Sequence, residues 1–304
     1  MLIEIDEAEK ILINSGNVII PTETVYGLAA SIYSQPGIEG IFKLKNRPKE
    51  NPLIIHCSSL NQVLELVKDP PDSFFLLTKA FWPGPLTVIL EAKEGINQLI
   101  TAGLNTVAVR IPNHIETLNL ISKTGPLVAP SANLSGTPSS TKIKHLEHDF
   151  GIDFPILKGD EPNCGLESTI IGWINEKWVL LRYGFIPKEE IEDILGEPID
   201  HSNLQISPGT RFRHYSPKAK IFYGIIDLIE VEAIIGFENR HYEGNLPFYS
   251  LGNDNEPEKI AYNLFALFRK VDEDGFSRVW IDINLPNKGL YHTIIERILK
   301  AAIG

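Results

Sequence analysis

NVIIPTETVYGLAA, Asn17–Ala30, is the stretch on which the fold turns. Val18, Ile19 and Ile20 form a short continuous apolar run closed by Pro21, the pattern of a strand buried on both faces. Thr22, Glu23, Thr24 and Tyr26 follow at once, so polar groups stand where a buried strand ends. Sheets of α/β proteins keep their ligand sites in loops placed this way.

Outward from this strand, helical and extended patterns alternate. DEAEKILIN before it is a short amphipathic helix beginning at Asp6. After it come IEGIFKLK as a helix, PLIIHC as a strand and SLNQVLELVKD as a helix that Ser59 caps. FFLLTKAFW (helix), LTVIL and TVAVRIP (strands), IETLNLIS (helix), PLVAPSAN (strand into loop) and KIKHLEHDF (helix) continue the series. STIIGW and KWVLLRYG read as a hairpin, and PKEEIEDILG as a helix followed by the turn-rich EPIDHSN. The pattern then restarts with AKIFYGII, LPFYSLG, EPEKIAYNLFALFRKV, RVWIDIN and LYHTIIERILKAA, a smaller second α/β unit. The expected division is a large domain over 1–202, a proline-bracketed connection over 203–219 and a small domain over 220–304.

With 304 residues, 43% of them hydrophobic, the chain is long enough for such a pair of cores. The acidic opening MLIEIDEAEK and the lack of any apolar run near the roughly 18 residues of a membrane span point to a cytoplasmic protein. Cys57 and Cys164 lie outside any Cys-x-x-Cys pair and read as small buried hydrophobes. A net charge of -11 opposes a stable complex with nucleic acid. The acids are unevenly spread, however: residues 24–38, 51–64, 95–115, 117–146 and 201–226 contain none. These gaps hold Arg110, Lys142, Arg211, Arg213 and His214 among hydroxyl, amide, Gly and Pro residues, a mixture suited to anions.

The phosphate loop, the dinucleotide fingerprint, the zincin helix and the serine elbow are all missing. His145 and His148, three apart in HLEH, read as surface histidines rather than a metal pair. The candidates are instead the loops that follow strands. PTETVYGLAA offers Thr22, Glu23, Thr24 and Tyr26, and KLKNRPKENPLIIH places Lys45 and Arg47 at a helix end with Asn51 and His56 around the next strand. Arg110 sits inside the apolar run TVAVRIP and needs an anionic partner, either a ligand or a structural glutamate. PSANLSGTPSST supplies hydroxyls, an asparagine and backbone amides near a helix start.

The ordered series PTETVYGL, KNRPKENPL, WPGPLTVIL, VAVRIP, APSANLSG, ESTI, LRYG and SPGTRFRHYSPKA resembles the YrdC-type threonylcarbamoyl-AMP synthases in their long, two-domain form. The resemblance implies a YrdC-like twisted mixed β-sheet domain with flanking helices and a smaller C-terminal Rossmann-like α/β domain. It implies a nucleotidyltransferase that makes threonylcarbamoyl-adenylate and pyrophosphate from L-threonine, bicarbonate and ATP, with Mg2+ carried by the nucleotide and no dedicated protein metal site. The product would pass to a separate transferase that modifies the tRNA adenosine beside the anticodon. By the same resemblance Lys45, Arg47, Ser131 and Asn133 form the signature. Arg47, Asn51, Thr106, Asn133, Thr141 and Arg182 hold ATP, joined by Arg211, Arg213, His214 and Tyr215 from the connection acting as a lid. Thr22, Tyr26, His56, Arg110, Ser131 and Ser168 surround L-threonine, and Lys45 neutralises phosphate charge. Two other readings stand beside this one. An RNA-binding or ribosome-assembly module without turnover is opposed by the net charge, and a carbamoyltransferase maturation factor would need cysteine-rich zinc modules that two cysteines cannot supply.

Overall fold

A computed structural model of the chain describes residues 1–202, 215–224 and 231–302. Eleven strands form one mixed sheet in the order Leu2–Ile3, Ile156–Leu157, Val18–Ile20, Gly27–Ser31, Leu127–Val128, Ile54–His56, Thr106–Arg110, Leu86–Glu91, Thr169–Ile174, Lys177–Arg182 and Asp200–His201. Val18–Ile20 is fully buried, as its uninterrupted apolar run requires, and pairs antiparallel with Gly27–Ser31. Ile54–His56 and Thr106–Arg110 run parallel with His56 opposite Arg110, so two polar side chains end adjacent central strands together. Leu127–Val128 runs antiparallel between Gly27–Ser31 and Ile54–His56 and carries the chain directly into the serine-rich loop.

The helices lie where the periodicity puts them. Ser34 caps Gln35–Lys45 by accepting from the Gly37 amide, and Asn46 closes that helix in the left-handed region at φ 50°. Ser59 likewise accepts from the Gln62 amide at the start of Leu60–Leu66. That helix ends at Leu66, short of the expected VKD, because Val67 is extended and bridges Ala92. The principal core lies on one face of the large sheet, where Ile19, Ile55, Val88 and Val109 meet these helices, and extends as far as Ile199, while separate clusters around Ile20 and Ile54 cover the opposite face.

The second sheet is entirely parallel, in the order Lys220–Phe222, Arg278–Ile281, Ala233–Gly236 and Phe248–Ser250, and packs against helices Pro257–Glu273 and Gly289–Ala302. Its core is separate, and Leu166 of the larger unit is buried within it. Five strands among the described residues escape the sequence reading. Ala233–Gly236 is a fully buried four-residue run, Gly27–Ser31 hides within a stretch read as a polar loop, Asp200–His201 adds an edge to the large sheet from a stretch read as a turn, and Leu2–Ile3 and Ile156–Leu157 are two-residue strands that pair with each other. His145 is a further correction: it is buried, not at the surface, and its Nδ1 accepts from the Thr141 and Lys142 amides.

Candidate active site

The ends of the central strands open onto a cleft of about 690 Å3. Its floor comes from stitching two polar loops together. Leu28 N–H donates to Pro130 O (2.8 Å), Ala132 N–H donates to Tyr26 O (2.6 Å), and Gly27 bridges Ser131. Glycine at 27 eases this crossing, since a Cβ there would stand 3.1 Å from that of Ala129, closer than ordinary contact. Behind the floor, the buried Lys45 ammonium donates to the carbonyls of Ser131 (2.6 Å) and Asn133 (2.5 Å). Burial and the charge of Arg47 hold its pKa well below the ordinary lysine value. Lys45 is absent from the cleft wall, so its observed task is to fix the loop that carries Ser131 and Asn133.

Of the two anionic partners that its sequence context left open, Arg110 has the glutamate. Its Nη2 lies 2.6 Å from Glu23 Oε1, both side chains being buried. Nε donates to Gly84 O (3.1 Å) and Nη1 to Thr24 Oγ1 (3.0 Å). Since Thr22 Oγ1 donates to Val25 O (2.6 Å), the 2.8 Å contact between the two threonines has Thr24 as donor. A directed chain therefore runs from Arg110 through Thr24 and Thr22 to the backbone. Beside it, burial and the Arg110 charge push His56 down to about 3, leaving a neutral imidazole whose Nδ1 is without a protein partner among the described residues.

Two further guanidiniums complete the wall. Arg47 donates through Nη2 to Pro52 O (2.8 Å) and through Nε to Asn51 O (3.3 Å). Burial and the charge of Arg182 bring it down to about 9. Arg182 donates to Ser168 O (2.8 Å) and Oγ (3.2 Å), and that hydroxyl lies 2.7 Å from Thr87 Oγ1. Asn133 donates both amide hydrogens to Leu134 O and Thr137 O, which turns its buried Oδ1 away from any described protein donor. The buried guanidiniums of Arg110 and Arg182 and the half-buried one of Arg47, set among hydroxyls with an unpartnered ring nitrogen at His56 and an unused acceptor at Asn133, make a cleft that stabilises several anionic groups and orients polar ones.

The whole expected threonine set, Thr22, Tyr26, His56, Arg110, Ser131 and Ser168, converges on this cleft. Of the nucleotide set, Arg47, Asn133, Arg182 and Tyr215 line it, whereas Asn51 and Thr141 are buried outside it. Thr106 also lies outside, at the far end of the Arg110 strand but on the same face by the alternation of side chains. Arg211, Arg213 and His214 lie outside the described residues. Sequence reasoning named Thr24 only as a polar group of its loop, without a role, and missed Ser139 and Glu167. The ESTI motif that supplied Ser168 held Glu167 one residue earlier. Among the described residues no group of three or more His, Cys, Asp or Glu side chains could hold a metal ion.

The fold and cleft define a YrdC-type α/β domain joined to a smaller parallel-sheet domain. A family model described as telomere recombination (Sua5_yciO_yrdC) matches residues 10–184, and one described as threonylcarbamoyl-AMP synthase, C-terminal domain (Sua5_C), matches residues 186–303. Threonylcarbamoyl-AMP synthase from Pyrococcus abyssi is 38% identical across 94% of this chain and 90% of its own. The Bacillus subtilis enzyme of that name is 36% identical across 99% and 93%. The crystal structure of P. abyssi Sua5 complexed with L-threonine superposes with a TM-score of 0.90 at 35% identity, covering 99% of this chain and 97% of that one. The chain belongs to the threonylcarbamoyl-AMP synthase family, in its two-domain form.

Proposed function

We propose that the cleft assembles L-threonine, bicarbonate and ATP and joins them as L-threonylcarbamoyl-adenylate, with release of pyrophosphate. The threonine amine captures bicarbonate as a carbamate with loss of water. A carbamate oxygen then attacks the α-phosphorus as the bond to the pyrophosphate oxygen breaks. Every reactant apart from the amine is an anion, so assembly needs fixed positive charge and pre-oriented donors. The convergence of Arg47, Arg110 and Arg182 on one cleft carries this reading.

In it Arg110, held by Glu23, Gly84 and Thr24, receives the amino-acid carboxylate, a geometry suited to guanidinium. Arg47, Arg182 and Asn133 face the nucleotide, with Asn51, Thr106 and Thr141 supporting it from outside the cleft. Arg211, Arg213 and His214 complete the triphosphate site as a lid. Mg2+ arrives with ATP on phosphate and water oxygens, because Glu167 and Glu23 are committed to Ser139, Arg297 and Arg110. The proposal includes the division at 202 and 219, action in the cytoplasm, and transfer of the product onto tRNA by a separate enzyme. Incubation with all three substrates and Mg2+ should release pyrophosphate only when bicarbonate is present. The loss of one methyl should lower kcat/KM for serine by about 10- to 200-fold. Bicarbonate-independent turnover, or equal turnover of serine and threonine, would count against the mechanism or the pocket respectively.

A further inference from the structure

Arg297 belongs to the C-terminal helix Gly289–Ala302 of the smaller domain, yet it is wholly buried and faces the larger one. Its Nε donates to Glu167 Oε2 (3.1 Å), its Nη2 donates to Tyr183 O (2.7 Å), and its Nη1 pairs with Glu296. The same guanidinium lies 4.8 Å from the centroid of the Tyr215 ring. Glu167 Oε1 in turn accepts from Ser139 at 2.6 Å. Glu167, Ser139 and Tyr215 all line the cleft, so one residue of the second domain touches two of its walls and reaches a third through a carboxylate.

Glu167 is the one carboxylate among the described lining residues. An ionised carboxylate on the wall of a polyanion site repels the ligand unless a fixed cation accompanies it. Arg47 and Arg182 also border the cleft, and the charge of Arg182 acts on the same carboxylate, but Arg182 donates to Ser168, while Arg297 bonds the carboxylate itself. We infer that Arg297 is a positioning residue for nucleotide binding: it neutralises and orients Glu167, which keeps the Ser139 and Tyr215 walls open to the triphosphate. The smaller domain is by this account a structural part of the nucleotide site through its last helix. The inference rests on the reading that ATP occupies the cleft.

Calorimetric titration of the full chain with Mg-ATP tests both, using wild type, R297M, R297Q, E167Q and the double variants E167Q/R297M and E167Q/R297Q. Removal of the guanidinium charge in R297M should weaken ATP at least about tenfold, since one uncompensated buried charge exceeds the 1.4 kcal/mol that a decade represents. R297Q, which keeps a donor for Tyr183 and preserves the fold where R297M does not, should weaken it comparably. E167Q should restore affinity in either background to within about threefold of wild type, because the repulsion disappears with the carboxylate. Wild-type affinity in R297Q, or a loss that E167Q does not relieve, would overturn the inference and leave Arg297 a purely structural anchor. Failure of the wild-type chain itself to bind ATP would instead overturn the reading of the cleft.

Discussion

At the scale of single residues, burial separates groups that carry charge from groups that only look as if they should. His56 and His145 are both brought down to about 3, chiefly by desolvation, with Arg110 acting on the first and Arg269 on the second. Their folded values lie below the ordinary 6.5, so the unfolded chain takes up protons that the folded chain refuses. Stability from these two sites is therefore complete above about pH 6.5 and declines as pH falls towards 3, by about 1.4 kcal/mol per pH unit for each histidine. Urea midpoints should fall from pH 7 to pH 5, and the imidazole NMR signals of both should stay flat over that range. A midpoint near neutrality for either ring would contradict the burial argument. Legibility in the sequence follows the same line. Arg110 is legible because a guanidinium inside a strand is conspicuous, but the strand pattern does not choose between a ligand and a glutamate, and Glu23 lies beside it. The charge of Lys45 was legible, but its direction was not, because nothing in KLKNRPK says that two loop carbonyls lie 86 and 88 residues away.

At the scale of elements, the hairpin joining Thr169–Ile174 to Lys177–Arg182 shows what periodicity reads well and what it leaves out. Alternation and length identify both strands, and the register places Lys177 opposite Ile174. The two connecting residues, Asn175 and Glu176, adopt φ 49° and 60°, as a two-residue turn matched to the strand twist demands. Asparagine tolerates that region, but glutamate carries a Cβ that disfavours it. Glu176→Gly should accordingly stabilise the protein by about 0.5–1 kcal/mol, read as a higher urea midpoint with unchanged m-value. A destabilisation would mean that unfolded-state entropy outweighs the strain. Ala233–Gly236 escaped notice for the opposite reason. A central parallel strand shows no alternation, and AIIG is too short to be told from a loop by composition. Arg297 was hidden differently, since an arginine on an amphipathic helix is ordinarily solvated. Even so, it shares the buried stripe of Leu290, Thr293, Ile294, Ile298 and Ala301, and that spacing is a signal the sequence did contain.

At the scale of the whole molecule, two cores that are separate in their packing are joined by buried charge. Arg269 of the helix Pro257–Glu273 donates to Pro138 O at 2.6 and 3.1 Å, to Ser140 Oγ at 3.2 Å and to both carboxylate oxygens of Asp149 at 2.7 and 3.0 Å. It therefore grips the loop that carries Ser139 from behind, while Arg297 grips Glu167 from the side. Across the same boundary Lys142 donates to Tyr262 Oη, and Thr293 donates to Gly184 O. The sequence indicated two units but not this dependence, because charges that meet across an interface are far apart along the chain. A chain truncated after Ser202 should still fold, since the core that extends to Ile199 is complete within it. It should nevertheless be less stable in its large domain than the full chain, as Leu166 loses its cover and the carboxylates of Asp149 and Glu167 lose their guanidiniums. Breaking a buried pair by removing one partner costs about 3–5 kcal/mol, and exposure of the surviving carboxylates to water in the truncated form should bring the loss towards the lower end of that range. With Trp280 of the second domain replaced by Phe in the full chain, the remaining Trp82, Trp173 and Trp178 report on the large domain alone, so their fluorescence during urea unfolding compares the same unit in both proteins. The expected result is a single cooperative transition at a lower midpoint, accompanied by loss of ATP binding. An unchanged midpoint with unchanged ATP affinity would show that the second domain is attached to the first without supporting its cleft.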